Sequence, residues 1–149
     1  MTLSVFSDEH FMAEAIKEAQ KAFDADEVPI GAVIVCDNRI IARGHNLTET
    51  LNDVTAHAEM QAITSAANFL GGKYLNECSI FVTIEPCPMC AGALYWAQMK
   101  RVVFGAYDEK RGFTKMKSPM LHPKSIFTGG MMEKQCAELM TRFFEAKRR

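Results

Sequence analysis

Two short stretches hold the side chains able to do chemistry: His57-Ala58-Glu59 and Pro86-Cys87-Pro88-Met89-Cys90. An imidazole and two thiols form a donor set of the kind that binds zinc. Structural zinc sites close all four tetrahedral corners with protein, whereas hydrolytic ones use three protein ligands and leave the fourth corner to water. Cys87 and Cys90 stand three positions apart, so on the first turn of a helix both sulfurs face one way. His57 offers the third donor. Glu59 points elsewhere from the same turn and can stand beside the open corner as a proton carrier, off the metal. A zinc ion held this way lowers the pKa of water from 15.7 to about 7. Taken singly the motifs mean less. Cys-x-x-Cys also occurs in redox pairs and structural zinc ribbons, and a lone His is usually packed or on the surface. Together they favour metal-assisted hydrolysis.

Both motifs read as helix beginnings. Thr55 can cap the helix that carries His57 and Glu59, and Pro88 suits a first helical turn, where its missing N–H costs nothing. Two helix N-termini would then turn their partial positive charge on the thiolates. Upstream, Ser7 to about Phe23 reads as a helix, with Phe11, Met12, Ala15, Ile16, Ala19 and Ala22 as its apolar stripe. Strands follow at Ile30–Cys36 and Arg39–Gly44, joined by a two-residue turn at Asp37-Asn38. Asn46 lies in the polar stretch after them. The helix from about Ala56 turns Met60, Ile63, Ala67 and Leu70 inward and stops at Gly71-Gly72. Ser79–Ile84 is a strand that delivers the chain to Pro86. The Cys90 helix continues through Leu94 and Tyr95 to Met99, and Arg101–Gly105 is a further strand. Strand, helix, strand at this spacing predicts a parallel crossover with helices covering the sheet. A short strand at Ser125–Thr128 and a final helix from Met132 to about Lys147 complete the chain, with Cys136, Leu139, Met140, Phe143 and Phe144 as that helix's buried stripe. Residues 1–149 read as one α/β domain, with the motifs at the strand-end rim where open sheets bind ligands.

Length and composition agree: 149 residues, 48% hydrophobic and 23% charged, are ordinary globular values. No run of eighteen apolar residues and no secretory pattern occurs, which predicts a cytoplasmic protein with no membrane partner. Five cysteines, an odd number, suit reduced thiols, with Cys36, Cys78 and Cys136 as small core hydrophobes. Net charge is −1, but residues 1–96 carry −8 and residues 97–149 carry +7. Such asymmetry suggests a basic face built from the C-terminal third.

His-x-Glu followed by Pro-Cys-x-x-Cys is the known signature of the zinc nucleobase deaminases. With Glu27-Val28-Pro29-Ile30-Gly31-Ala32-Val33, Ala91-Gly92-Ala93, Arg101-Val102-Val103-Phe104-Gly105-Ala106 and the Cys136 helix, the chain resembles the bacterial tRNA-specific adenosine deaminases of the cytidine-deaminase-like superfamily over about residues 8–147. That resemblance implies a three-layer α/β/α fold with a five-stranded mixed sheet, a homodimer, one zinc per subunit, and hydrolytic conversion of the wobble adenosine of a tRNA anticodon to inosine. It implies His57, Cys87 and Cys90 as ligands and Glu59 as proton carrier. Asn46 matches the position that hydrogen-bonds the flipped nucleotide, and Pro29, His57 and the Ala58 backbone match the pocket wall; the backbone of Glu85, Pro86 and Cys87 is expected to orient the attacking water through an N–H or carbonyl. Arg111, Lys115, Lys117, Lys147, Arg148 and Arg149 are candidate phosphate contacts in an anticodon stem-loop, and Phe113 or Phe144 candidate stacking partners, with buried packing the expectation for Phe144. The chain departs from the family at Asp53-Val54-Thr55 and in the loop Glu109–Lys117, so which tRNA is modified stays open. Gly92-Ala93-Leu94-Tyr95-Trp96-Ala97 is similar to free-base guanine deaminases, so a free-base deaminase acting on guanine or cytosine is the alternative.

Overall fold

The computed structural model describes residues 7–148. Its elements run α1 (Asp8–Asp24), β1 (Gly31–Cys36), β2 (Arg39–His45), α2 (Ala58–Leu70), β3 (Cys78–Ile84), α3 (Pro88–Ala97), β4 (Arg101–Ala106), a 3₁₀ turn at Phe113–Lys115, β5 (Ile126–Thr128) and α4 (Glu133–Lys147). Ser7 caps α1 by accepting the His10 N–H, as its position predicts. Asp37 and Asn38 both adopt positive φ, 54° and 61°, the geometry of a tight hairpin between β1 and β2.

The five strands form one mixed sheet in the order β2-β1-β3-β4-β5. β1 is antiparallel to β2 and β3, whereas β3, β4 and β5 run parallel. Because successive side chains in a strand point to opposite faces, the continuous apolar runs of β1, β3 and β4 feed two cores at once. Ile34, Ile80, Val82, Val102 and Phe104 pack with α2 and α3 on one face. Val33, Val35, Phe81 and Val103 pack with Phe11, Met12 and Ala15 of α1 and Cys136 of α4 on the other. The result is the expected α/β/α sandwich. Among the described residues, no helix is long and apolar enough to cross a membrane.

Two expectations about α2 need correction. Thr55 does not cap it: the Thr55 N–H and hydroxyl both bond Asp53 Oδ1, at 2.8 and 2.7 Å. The turn centred on Asp53 keeps the chain extended for two more residues, so His57 itself occupies the N-cap position. Although Ile63 packs partly buried against the core, Met60, Ile63, Ala67 and Leu70 together do not form the inward face. Ala58, Ala62 and Ala66 do, while Leu70 is exposed. Alanines let the helix axis lie close to the sheet, which the longer side chains would prevent.

Candidate active site

The parallel strand β3 ends at Ile84, and the chain passes through Glu85 and Pro86 to Cys87, the N-cap of α3. Pro88 opens that helix, as expected. His57 stands at the corresponding place on α2. Two helix starts thus meet at the rim of the sheet. His57 Nδ1 lies 3.5 Å from Cys90 Sγ and 3.7 Å from Cys87 Sγ. All three donor atoms fall within 4.8 Å of one another, and no other three His, Cys, Asp or Glu side chains among the described residues converge in this way.

The donor set fits zinc. Bonds of about 2.3 Å to sulfur and about 2.0 Å to nitrogen, at tetrahedral angles, put sulfur and nitrogen about 3.5 Å apart. The two observed separations match that edge length without any rearrangement. Among the three side chains the protons are shared unequally. A hydrogen bond from the Cys90 thiol holds Cys87 down to about 4 against the effect of burial, with His57 adding to it. The same hydrogen bond, together with burial, pushes Cys90 up. The hydrogen bond with Cys87 raises His57 against burial.

Glu59 is buried in the first turn of α2. Burial pushes its carboxyl up to about 7, with its own N–H and His57 pulling the other way and the Cys87 charge adding to the rise. A carboxyl group poised near neutrality can take up and release a proton in the same cycle.

These groups face a cavity of about 280 Å³. Asn46, His57, Ala58 and Glu59 line it together, as the family pattern places them. Asn46 is buried, with its N–H on the Ile30 carbonyl and its side-chain oxygen accepting the Thr48 N–H. Pro29 sits between two lining residues, Val28 and Ile30, but is not itself part of the wall. Glu85 and Pro86 lie behind it. The Glu85 N–H is taken by the Ala106 carbonyl at 2.8 Å, and the Pro86 carbonyl accepts the Phe113 N–H at 3.0 Å. The Glu85 side chain bonds Asp108 and Thr114.

Thr48, Asp108 and Met140 join the wall although no spacing rule pointed to them as site residues, and Phe144, named above only as a candidate stacking partner, joins them. They come from three separate segments, and only the packing of α4 and the loop after β4 over the motif brings them together. Phe144, expected to pack inside, is 42% exposed and stands at the mouth. Phe113, considered as a stacking partner, is instead buried against Phe104 and Phe127. Of the candidate phosphate contacts, Arg111 reaches the cavity. Lys115 pairs with Glu109 at 3.1 Å and Lys147 with Asp26 at 2.6 Å. Arg149 lies outside the described residues.

A three-layer sandwich with two helix starts presenting one imidazole, two thiols and a buried carboxyl defines a zinc-dependent hydrolytic deaminase. Residues 6–106 match the family model described as the cytidine and deoxycytidylate deaminase zinc-binding region. The narrower relationship comes from whole-chain comparison. A tRNA-specific adenosine deaminase of Bacillus subtilis is 43% identical over 147 residues, 95% of this chain and 91% of that one. A structure from work on A-to-I editing by tRNA:A34 deaminases at the wobble position of transfer RNA is 44% identical, with a TM-score of 0.82 over 87% of this chain and 98% of the other. A guanine deaminase structure from Bacillus subtilis is more distant, 33% identical with a TM-score of 0.67 over 91% of this chain and 94% of that one. The chain belongs to the tRNA-specific adenosine deaminase family.

Proposed function

We propose that this protein hydrolyses adenosine to inosine at the wobble position of a tRNA anticodon, with release of ammonia. The observation that carries the reading is the His57–Cys87–Cys90 triangle with buried Glu59 beside it, at one end of a cavity open to the surface near Arg111 and Phe144. His57 Nδ1 and the two sulfurs would hold the metal. Zinc bound there supplies Lewis acidity that makes water acidic enough to be deprotonated near neutral pH. The Glu59 carboxylate would take that proton and deliver it to the purine N1 as the water oxygen bonds to C6, and a second transfer through Glu59, from the new C6 hydroxyl to the amine, would let the C6–N bond break and ammonia leave.

Asn46 offers an amide donor and acceptor to the extruded nucleoside, and Ala58 a small wall against which the base can lie. A cavity of about 280 Å³ suits one base and its sugar. An anticodon loop presents such a base already partly unstacked, so extrusion costs only a few kcal/mol. Arg111 at the mouth is placed for a neighbouring phosphate, and half-exposed Phe144 for stacking on an adjacent base.

Two further features belong to the same reading. A homodimer is supported by the apolar side chains that α3 and β5 leave in solvent, chiefly Trp96 at 76% exposure with Ile126 and Phe127. A cytoplasmic location is supported by five free cysteines and by the substrate itself.

The test is mass spectrometry for inosine after incubation with a synthetic anticodon stem-loop, run beside free guanine, cytosine and adenine. Inosine in the stem-loop is the expected result. Consumption of guanine with the stem-loop untouched would overturn the proposal in favour of a free-base enzyme.

A further inference from the structure

The loop after β4 supplies Asp108 and Arg111 to the cavity, and a buried carboxylate behind the wall holds that loop in place. Glu85, two residues before the ligand Cys87, is 3% exposed. Its Oε1 accepts the Asp108 N–H at 3.0 Å, and its Oε2 accepts the Thr114 N–H at 2.8 Å and the Thr114 hydroxyl at 2.6 Å. The adjoining Pro86 carbonyl takes the Phe113 N–H. Between these anchors the chain folds on Asp108, whose Oδ1 accepts the Lys110 and Arg111 N–H groups, both at 3.0 Å. Gly112 crosses directly over the carboxyl group: a Cβ there would fall 2.1–2.2 Å from Glu85 Cδ, Oε1 and Oε2.

We infer that Glu85 is a positioning residue for the RNA substrate. It fixes Asp108 and Arg111 relative to the metal triangle by tying the loop to the same strand end that carries Cys87. The inference rests on the RNA reading above. A carboxylate suits the place because two of its three donors are backbone N–H groups, which require an acceptor. Glutamine would turn an NH₂ towards one of them. Glu27 does the same for the segment after β2, where it accepts the Glu49 and Thr50 N–H groups and the Thr50 hydroxyl. Two buried acids thus pin two of the segments that line the cavity. The alternative is that Glu85 serves only the stability of the fold.

The deciding experiment uses the zinc-loaded protein and an anticodon stem-loop, with E85Q, T114V, T114S and R111A measured for KM, kcat and zinc content. The expected result is a KM about tenfold higher in E85Q, with kcat changed by less than about threefold and zinc still one per chain. T114V should move KM in the same direction and T114S restore it, because only the hydroxyl donor differs in the bond to Glu85. In an R111A background E85Q should cost less than in the wild type, since one of the two side chains it positions is gone. Unchanged KM in both E85Q and T114V overturns the inference, as does a loss confined to melting temperature or zinc content. If E85Q does not fold, the T114V and T114S pair decides alone. Failure of the wild type to form inosine would instead strike the proposed function. Stem-loop affinity by fluorescence anisotropy would then judge Glu85, and an unchanged Kd would refute it.

Discussion

Removing the Glu27 carboxylate should unfasten one wall of the site and cost the whole fold dearly. Glu27 is fully buried. Its Oε1 accepts the Glu49 N–H at 3.0 Å, and its Oε2 accepts the Thr50 N–H and hydroxyl, both at 2.6 Å. Each hydrogen bond to a charged acceptor contributes about 1.5–3 kcal/mol. Two of the three share one oxygen and belong to one residue, so they do not add fully. We expect Glu27→Ala to destabilise the protein by about 3–4 kcal/mol, and Glu27→Gln by about half that. For a chain of this size that is a drop of roughly 10 °C in Tm for the alanine variant.

The pH dependence follows from the direction of the pKa shift. Burial works to raise the Glu27 carboxyl, but the bonds from the Thr50 hydroxyl and the Glu49 and Thr50 amides outweigh it, so the group sits below its ordinary 4.5. A carboxyl whose folded-state pKa is lowered contributes stability that is present above the unfolded value and lost as pH falls through the folded one. The difference between wild type and Glu27→Gln should therefore be full at pH 7 and shrink below about pH 4.5. Urea unfolding of both proteins across that range measures it, and loss of metal in acid, common to both, cancels in the difference. A cost under about 1 kcal/mol at pH 7, or a difference that persists in acid, would refute the reasoning. Because Asn46 and Thr48 line the cavity on the same segment, KM should rise as well.

Three other outcomes are expected. Glu59→Gln should keep one zinc per chain while kcat falls by about 10²–10⁴, whereas His57→Ala or Cys87→Ala should lose the metal; elemental analysis beside inosine formation separates the cases, and near-normal turnover by Glu59→Gln removes that residue from proton transfer. Gly31→Ala should destabilise by about 1–3 kcal/mol in thermal melts, because its Cβ would lie 2.2 Å from the Ala15 carbonyl oxygen and 2.3 Å from the Ala19 nitrogen, which forces α1 off β1. Neutralising Arg111 and Lys117 should flatten the salt dependence of stem-loop binding more than neutralising Lys115 and Lys147, whose charges already face Glu109 and Asp26; equal slopes would show that the ion pairs open on binding.

Much of this was legible in the residues. The β-branched run at Ile30–Cys36, the hairpin turn at Asp37-Asn38 and the Ser7 cap each obey rules that act within a few positions, and the structure keeps all three. The metal triangle was legible for a different reason. Cys87 and Cys90 are neighbours on one helical turn, so their convergence needs only local geometry. The inward face of α2 was misjudged because periodicity favours the larger hydrophobes, whereas the residues that reach the sheet surface fully buried are alanines, with Ile63 packed at their flank. Phe144 was misjudged for a related reason. A stripe position on α4 says that a side chain faces the sheet side of the helix, not whether the sheet extends beneath its last turn.

Local order alone thus determined most of the elements and the pairing of Cys87 with Cys90, because caps, turns and helical spacing are short-range properties. The position of His57 between the sulfurs, the burial of Glu59 and the pinning of two cavity-lining segments by Glu27 and Glu85 required the folded sandwich. Each of these depends on segments more than twenty residues apart, or on a low-dielectric setting that exists only once the sheet is covered on both faces.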